Sequence, residues 1–75
     1  AARGREGATE AVPLLQQAVS REPDNAFAWR ELAQSRDILG EEALAQLASA
    51  EQNFAMGDFS AAVSFAERAR RTLPR

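Results

Sequence analysis

"PDNAFAWRELA", Pro23 to Ala33, decides how this chain folds. Pro23 disfavours helical geometry at Glu22, so a helix running into it has to stop there. Asp24 or Asn25 can cap the helix that follows, since a short polar side chain accepts from the free N–H groups of a first turn. Trp29, Leu32 and Ala33 then recur at helical spacing. A stop, a cap and an apolar stripe in so short a stretch mark the junction between two helices.

Three more segments read the same way on either side. Upstream, Ala11, Val12, Leu15, Ala18 and Val19 make one face of a helix over about 9–21, with Thr9 as its N-cap and Pro13 near its start. The helix holding Trp29 spans about 25–39, and Gly40 ends it in the left-handed position that glycine tolerates. A third helix, about 41–56, carries Leu44, Leu47, Ala48, Phe54 and Ala55 on one side and Gln46, Ser49 and Asn53 on a wet side. Gly57 ends it, and Asp58 or Ser60 caps a fourth over about 59–72, with Ala62, Val63, Phe65, Ala66 and Ala69 facing inward and Pro74 stopping it. The short connections make neighbouring helices antiparallel. The expected fold is all-α: a stack of helical hairpins with Leu15, Ala18, Trp29, Leu32, Ala33, Leu47, Phe54, Ala62, Phe65 and Ala69 in its core.

Composition limits the chemistry. The 75 residues contain no cysteine, histidine or tyrosine, so neither a His/Cys zinc site nor a Ser-His-Asp or Cys-His pair can be assembled. No catalytic residue, metal ligand or cofactor is expected, and the chain is not expected to be an enzyme. All nine basic residues are arginine against eleven acids, for a formal charge of -2. That balance argues against nucleic acid as a partner, and "ERARR" (Glu67–Arg71) reads as the solvated, dipole-matched end of a helix. No apolar run reaches membrane-spanning length, so direct membrane insertion is not expected.

Internal similarity gives the pattern a name. Gly57, Phe59, Ala62, Ala69 and Pro74 are echoed in part by Ala11, Leu15, Ala18 and Pro23, after which Trp29, Leu32 and Ala33 follow. This looks like the tetratricopeptide repeat, in which small residues let paired helices approach and large ones fill the gaps between hairpins. Gly40 and Gly57, however, stand 17 residues apart, half the 34-residue period of that family. Gln46, Ser49 and Asn53 also occupy slots where the family places apolar residues, so the third helix is expected to be rotated or packed differently. Within the family, Trp29-Arg30-Glu31-Leu32-Ala33, Gly40, Leu47-Ala48-Ser49-Ala50-Glu51 and Gly57-Asp58-Phe59 resemble the C-terminal segment of bacterial BepA-like (YfgC-like) periplasmic zinc metalloproteases.

That resemblance carries its own expectations. It implies a non-catalytic interaction module, 9–75, from a larger protease of the bacterial envelope, since no His-Glu-x-x-His occurs here. Residues 1–8 are then a disordered or boundary segment. The module would position a protein or peptide substrate, or dock on its own protease domain, in the periplasm. A free-standing adaptor or co-chaperone of the same fold is the alternative. The repeat's groove would be lined by Phe27, Arg30, Gln34, Asp37 and Ile38, and in relatives a basic and an amide residue at the Arg30 and Gln34 positions clamp a terminal carboxylate. Helix one lacks a partner for its apolar face, which suggests a homodimer through that face. Glu51, within the apolar stripe of helix three, reads either as a functional carboxylate or as an ion-pair partner of Arg30 or Arg36.

Overall fold

A computed structural model describes residues 2–73 and contains four helices and, among those residues, no strand. They are α1 (Ala2–Arg21), α2 (Ala26–Ile38), α3 (Glu42–Ala55) and α4 (Phe59–Thr72). The all-α fold is as expected from the sequence, with the ends of α2, α3 and α4 within a residue of their expected places. Pro74, the expected stop for α4, lies outside the described residues.

The caps explain those boundaries. The Asn25 side chain accepts from the Ala28 N–H at 3.0 Å, and the Asp58 side chain accepts from the Ala61 N–H at 3.1 Å. Each satisfies a first-turn donor that the helix cannot. The other two turns are built alike. At Gly40 (φ 76°), the Gly40 N–H donates to Asp37 O and the Glu41 N–H to Arg36 O; at Gly57 (φ 83°), Gly57 donates to Phe54 O and Asp58 to Asn53 O. Both are Schellman closures with glycine as the left-handed residue. The 17-residue spacing of the two glycines thus comes from two equivalent turns on either side of the 14-residue α3.

The first helix corrects the sequence reading. It begins at Ala2, so residues 2–8 extend the helix by about two turns beyond the expected start. Thr9 is not a cap: its hydroxyl donates back to the Arg5 carbonyl at 2.9 Å, the mode a threonine adopts within a helix. Pro13 therefore sits mid-helix, where it deprives the Thr9 carbonyl of a donor. Both residues are exposed, so water can serve that oxygen.

Backbone contacts join α1 to α2, α2 to α3 and α3 to α4, with no other helix pair meeting among the described residues. The arrangement is an open array rather than a closed bundle, in which α1 would also meet α4. Its core is largely alanine. Val19, Ala28, Leu32, Ala33 and Ala48 form the buried cluster, flanked by Val12, Leu15, Ala18 and Trp29. Ala45, Ala50, Ala62 and Ala69 are buried on α3 and α4, Ala69 completely. Side chains this small let helix backbones approach closely.

Leu32, Ala33, Ala62 and Ala69 are buried as expected, while Leu15, Ala18, Trp29 and Phe65 are half-buried. Trp29 packs on the α1–α2 cluster, and its indole N–H donates to the Pro23 carbonyl at 2.8 Å. It thereby fastens the turn that precedes its own helix. Leu47 and Phe54 are corrections: they are 39% and 61% exposed and do not belong to the core. The cause is the rotation of α3. Ala45 and Ala48 face inward, with Gln46 and Ser49 half-buried, and the Leu44–Leu47–Phe54 stripe faces solvent. Glu51 follows that stripe to the surface and pairs with neither Arg30 nor Arg36. Arg36 instead bonds Glu41 at 3.0 Å across the α2–α3 turn.

Candidate functional site

The rotation of α3 creates a polar concavity of about 400 Å³. Its floor is α3, contributing Ala45, Gln46, Ser49 and Gln52; one wall is α2, with Arg30, Gln34 and Asp37; the other is Phe65 of α4, and Glu42 closes one end. A shallower recess of Gln34, Asp37 and Ile38 continues it along α2. Arg30, Gln34, Asp37 and Ile38 thus line recesses on the side expected from the sequence. Phe27 lines neither, and stands 68% exposed.

Each wall is fixed by local sequence. On α2, Arg30, Gln34 and Asp37 recur at intervals of one turn, opposite the buried Ala28, Leu32 and Ser35. On α3, Glu42, Gln46 and Ser49 form the corresponding stripe. The Asn53 amide, one turn further on, donates to the Ser49 carbonyl at 2.8 Å and is thereby occupied. Phe65 lies half-buried with the Arg68 guanidinium 5.0 Å from its ring centroid, which holds the ring from its outer side.

Two features make the groove chemically receptive. Arg30 is exposed and enters no ion pair or hydrogen bond among the described residues, so its planar fork of donors is free. The Gln46 Oε1 atom is buried without any hydrogen-bond partner. An unpaired buried carbonyl oxygen costs about 1–3 kcal/mol, and a ligand in the groove reaches it only if the Gln46 side chain turns outward. Arg30 faces a groove that also contains Asp37 and Glu42, so the lining has both charge signs and three primary amides, Gln34, Gln46 and Gln52.

The α3 half of this site was missed from sequence. Gln46 and Ser49 read from the sequence as part of a wet side, yet here they are half-buried and line the groove. Phe65, expected in the core, is half-buried and forms a wall of the groove.

The opposite side of α3 and α4 is different in kind. Ala50, Glu51 and Phe54 of α3 and Phe59, Ala62, Val63 and Ala66 of α4 line an open, mainly apolar furrow. The Phe54 and Phe59 rings meet edge to face, with centroids 5.2 Å apart, and both remain mostly exposed.

In comparisons with known proteins, the chain matches no family model, and no curated protein or solved structure is significantly similar to it. Among the described residues no helix is long and apolar enough to cross a membrane, and no group of acidic residues is gathered closely enough to hold a metal ion.

Proposed function

We propose that this chain is a non-catalytic protein–protein interaction module that receives an extended peptide segment in the groove between α2, α3 and α4. The observation that carries this reading is a groove lined by the side-chain amides of Gln34, Gln46 and Gln52 with the exposed Arg30 on its wall. An extended peptide offers a regular series of N–H donors and C=O acceptors, and primary amides match both. Arg30 takes an acidic side chain or a terminal carboxylate bidentately, with Gln34 one turn on to fix register. Asp37 and Glu42 favour a basic residue elsewhere in the same segment.

In its fuller form, the chain is the tetratricopeptide segment of a zinc-dependent protease of the bacterial envelope, where the groove holds substrate or a strand of the protease domain in the periplasm. The support is the tryptophan-to-alanine motif of α2 and the stacking of each helix only on its neighbours in sequence. The adaptor or co-chaperone alternative uses the same groove. Reading the gene upstream of Ala1 separates them: a His-Glu-x-x-His motif selects the protease, and another repeat selects the adaptor.

Selection from a randomised peptide pool tests the groove. Peptides should be recovered, and Arg30→Ala should weaken them by about tenfold, as loss of a charge-assisted hydrogen bond does. Recovery of no peptide, or of peptides indifferent to Arg30 and Gln46, would remove the proposal.

A further inference from the structure

The two ends of the groove carry opposite charge. Arg30 lines one end; Asp37 and Glu42 line the other, on either side of the Gly40 turn. All three side chains are exposed, and none enters an ion pair among the described residues. Arg36, the arginine next to these acids in sequence, is already bonded to Glu41 at 3.0 Å and leaves them without a counterion. Between the charged ends the lining is neutral, with Gln34 on α2 and Gln46 and Ser49 on α3. Arg30 and Asp37 are seven positions apart on one helix, which places them about 10 Å apart along its axis.

We infer that the peptide received here carries an acidic and a basic side chain three residues apart. This rests on the groove receiving an extended peptide, and specifies which. Three residues of extended chain span about 10 Å, the separation of the charged ends. Residues three apart in such a chain also point to opposite sides. When the acid turns to α2 and the Arg30 fork, the base turns to α3, where Glu42 stands. Spacings of two or four turn both charges to α2, and there the peptide offers about 7 or 13 Å against the 10 Å between Arg30 and Asp37. The order of the two charges along the peptide is free, because side chains and not backbone direction make the match. Two acids or two bases would set like charges together at one end. The lining continues along α3 to Gln52 and along α2 to Ile38, so the charged pair lies within a longer segment and the acid is a side chain rather than a chain terminus.

Fluorescence anisotropy of the full chain with labelled, end-blocked peptides tests this. The peptides share a Ser/Ala/Asn host and carry one Glu and one Arg at varied spacing and in both orders. The uncharged host, a Glu/Glu peptide and an Arg/Arg peptide serve as controls. The spacing of three should bind about fivefold more tightly than the host, the effect of two exposed ion pairs, and more tightly than the other spacings. Asp37→Arg with Glu42→Arg makes both ends basic and should switch the preference to Glu/Glu. Asp37→Asn with Glu42→Gln changes no shape and should abolish the preference for the base; it replaces the first variant if circular dichroism shows that one unfolded. Failure of every peptide to bind, charged or not, overturns the peptide groove and this inference with it. A host that binds as tightly as the charged peptides, equal binding at all spacings, or a preference that the variants do not move overturns the inference alone. So does a host with a free terminal carboxylate that outbinds the blocked peptides.

Discussion

Gly40 and Gly57 have the clearest single-residue roles. At both, a Cβ would meet open space, so substitution acts through the backbone alone. Gly57→Ala should cost about 1–2 kcal/mol, the strain of a side chain in the left-handed region, read as a lower urea midpoint with an unchanged slope. Gly40→Ala should match it, because the two closures have the same hydrogen bonds. The caps differ more. Asp58→Ala should cost about 1 kcal/mol by exposing the Ala61 N–H. Glu41 occupies the equivalent position before α3, yet it caps nothing and bonds Arg36 instead. Gly40, Gly57, Asn25 and Asp58 were all legible in the sequence because each acts through its own backbone and nearest neighbours. Thr9 was not. A threonine bonds as readily to a carbonyl one turn back as to an N–H ahead, and only the helix continuing to Ala2 determines which.

At the scale of the element, α3 separates hydrophobicity from burial. Its leucines and Phe54 face out while Ala45, Ala48 and Ala50 are buried. Periodicity identified the helix and its apolar stripe correctly, but it does not say whether the stripe meets the rest of the chain. The alternative face, with alanines for close approach and amides for the groove, carried no strong hydrophobic signal. The same rotation places Gln46 against the core with one oxygen unpaired. Leu32→Ala should therefore cost about 2–5 kcal/mol, as loss of a buried leucine does. Phe54→Ser or Leu47→Ser should change the stability of the monomer by no more than about 0.5 kcal/mol in dilute solution. Equal losses at Leu32 and Phe54 would show α3 turned the other way. Gln46→Leu should raise stability by about 1 kcal/mol, since it replaces an unpaired buried oxygen with apolar volume of similar size. A lower urea midpoint for that variant would show that the oxygen has a partner.

For the whole molecule, the decisive fact is that each helix meets only its neighbours in sequence. Helices α2 and α3 are held on two sides, and α1 and α4 on one. Native-state hydrogen exchange should be slowest in α2 and α3 and faster in α1, whose Pro13 interrupts its own ladder. Uniform protection across all four helices would indicate a closed bundle. An open array of this kind offers two broad faces, and here they differ in character: a polar groove on one side and an apolar face on the other. That division gives the molecule two chemically distinct surfaces. It follows from α3 standing between α2 and α4 with its amides turned to one side and its large apolar residues to the other. The central claim is that the groove recognises peptide, and the most direct measurement is side-chain amide NMR during titration with a peptide selected from a randomised pool. Shifts are expected at the amides of Gln34, Gln46 and Gln52, lost in the Gln46→Leu chain while that chain stays folded and more stable. Shifts confined to other surfaces, or binding unaffected by Gln46→Leu, would contradict it.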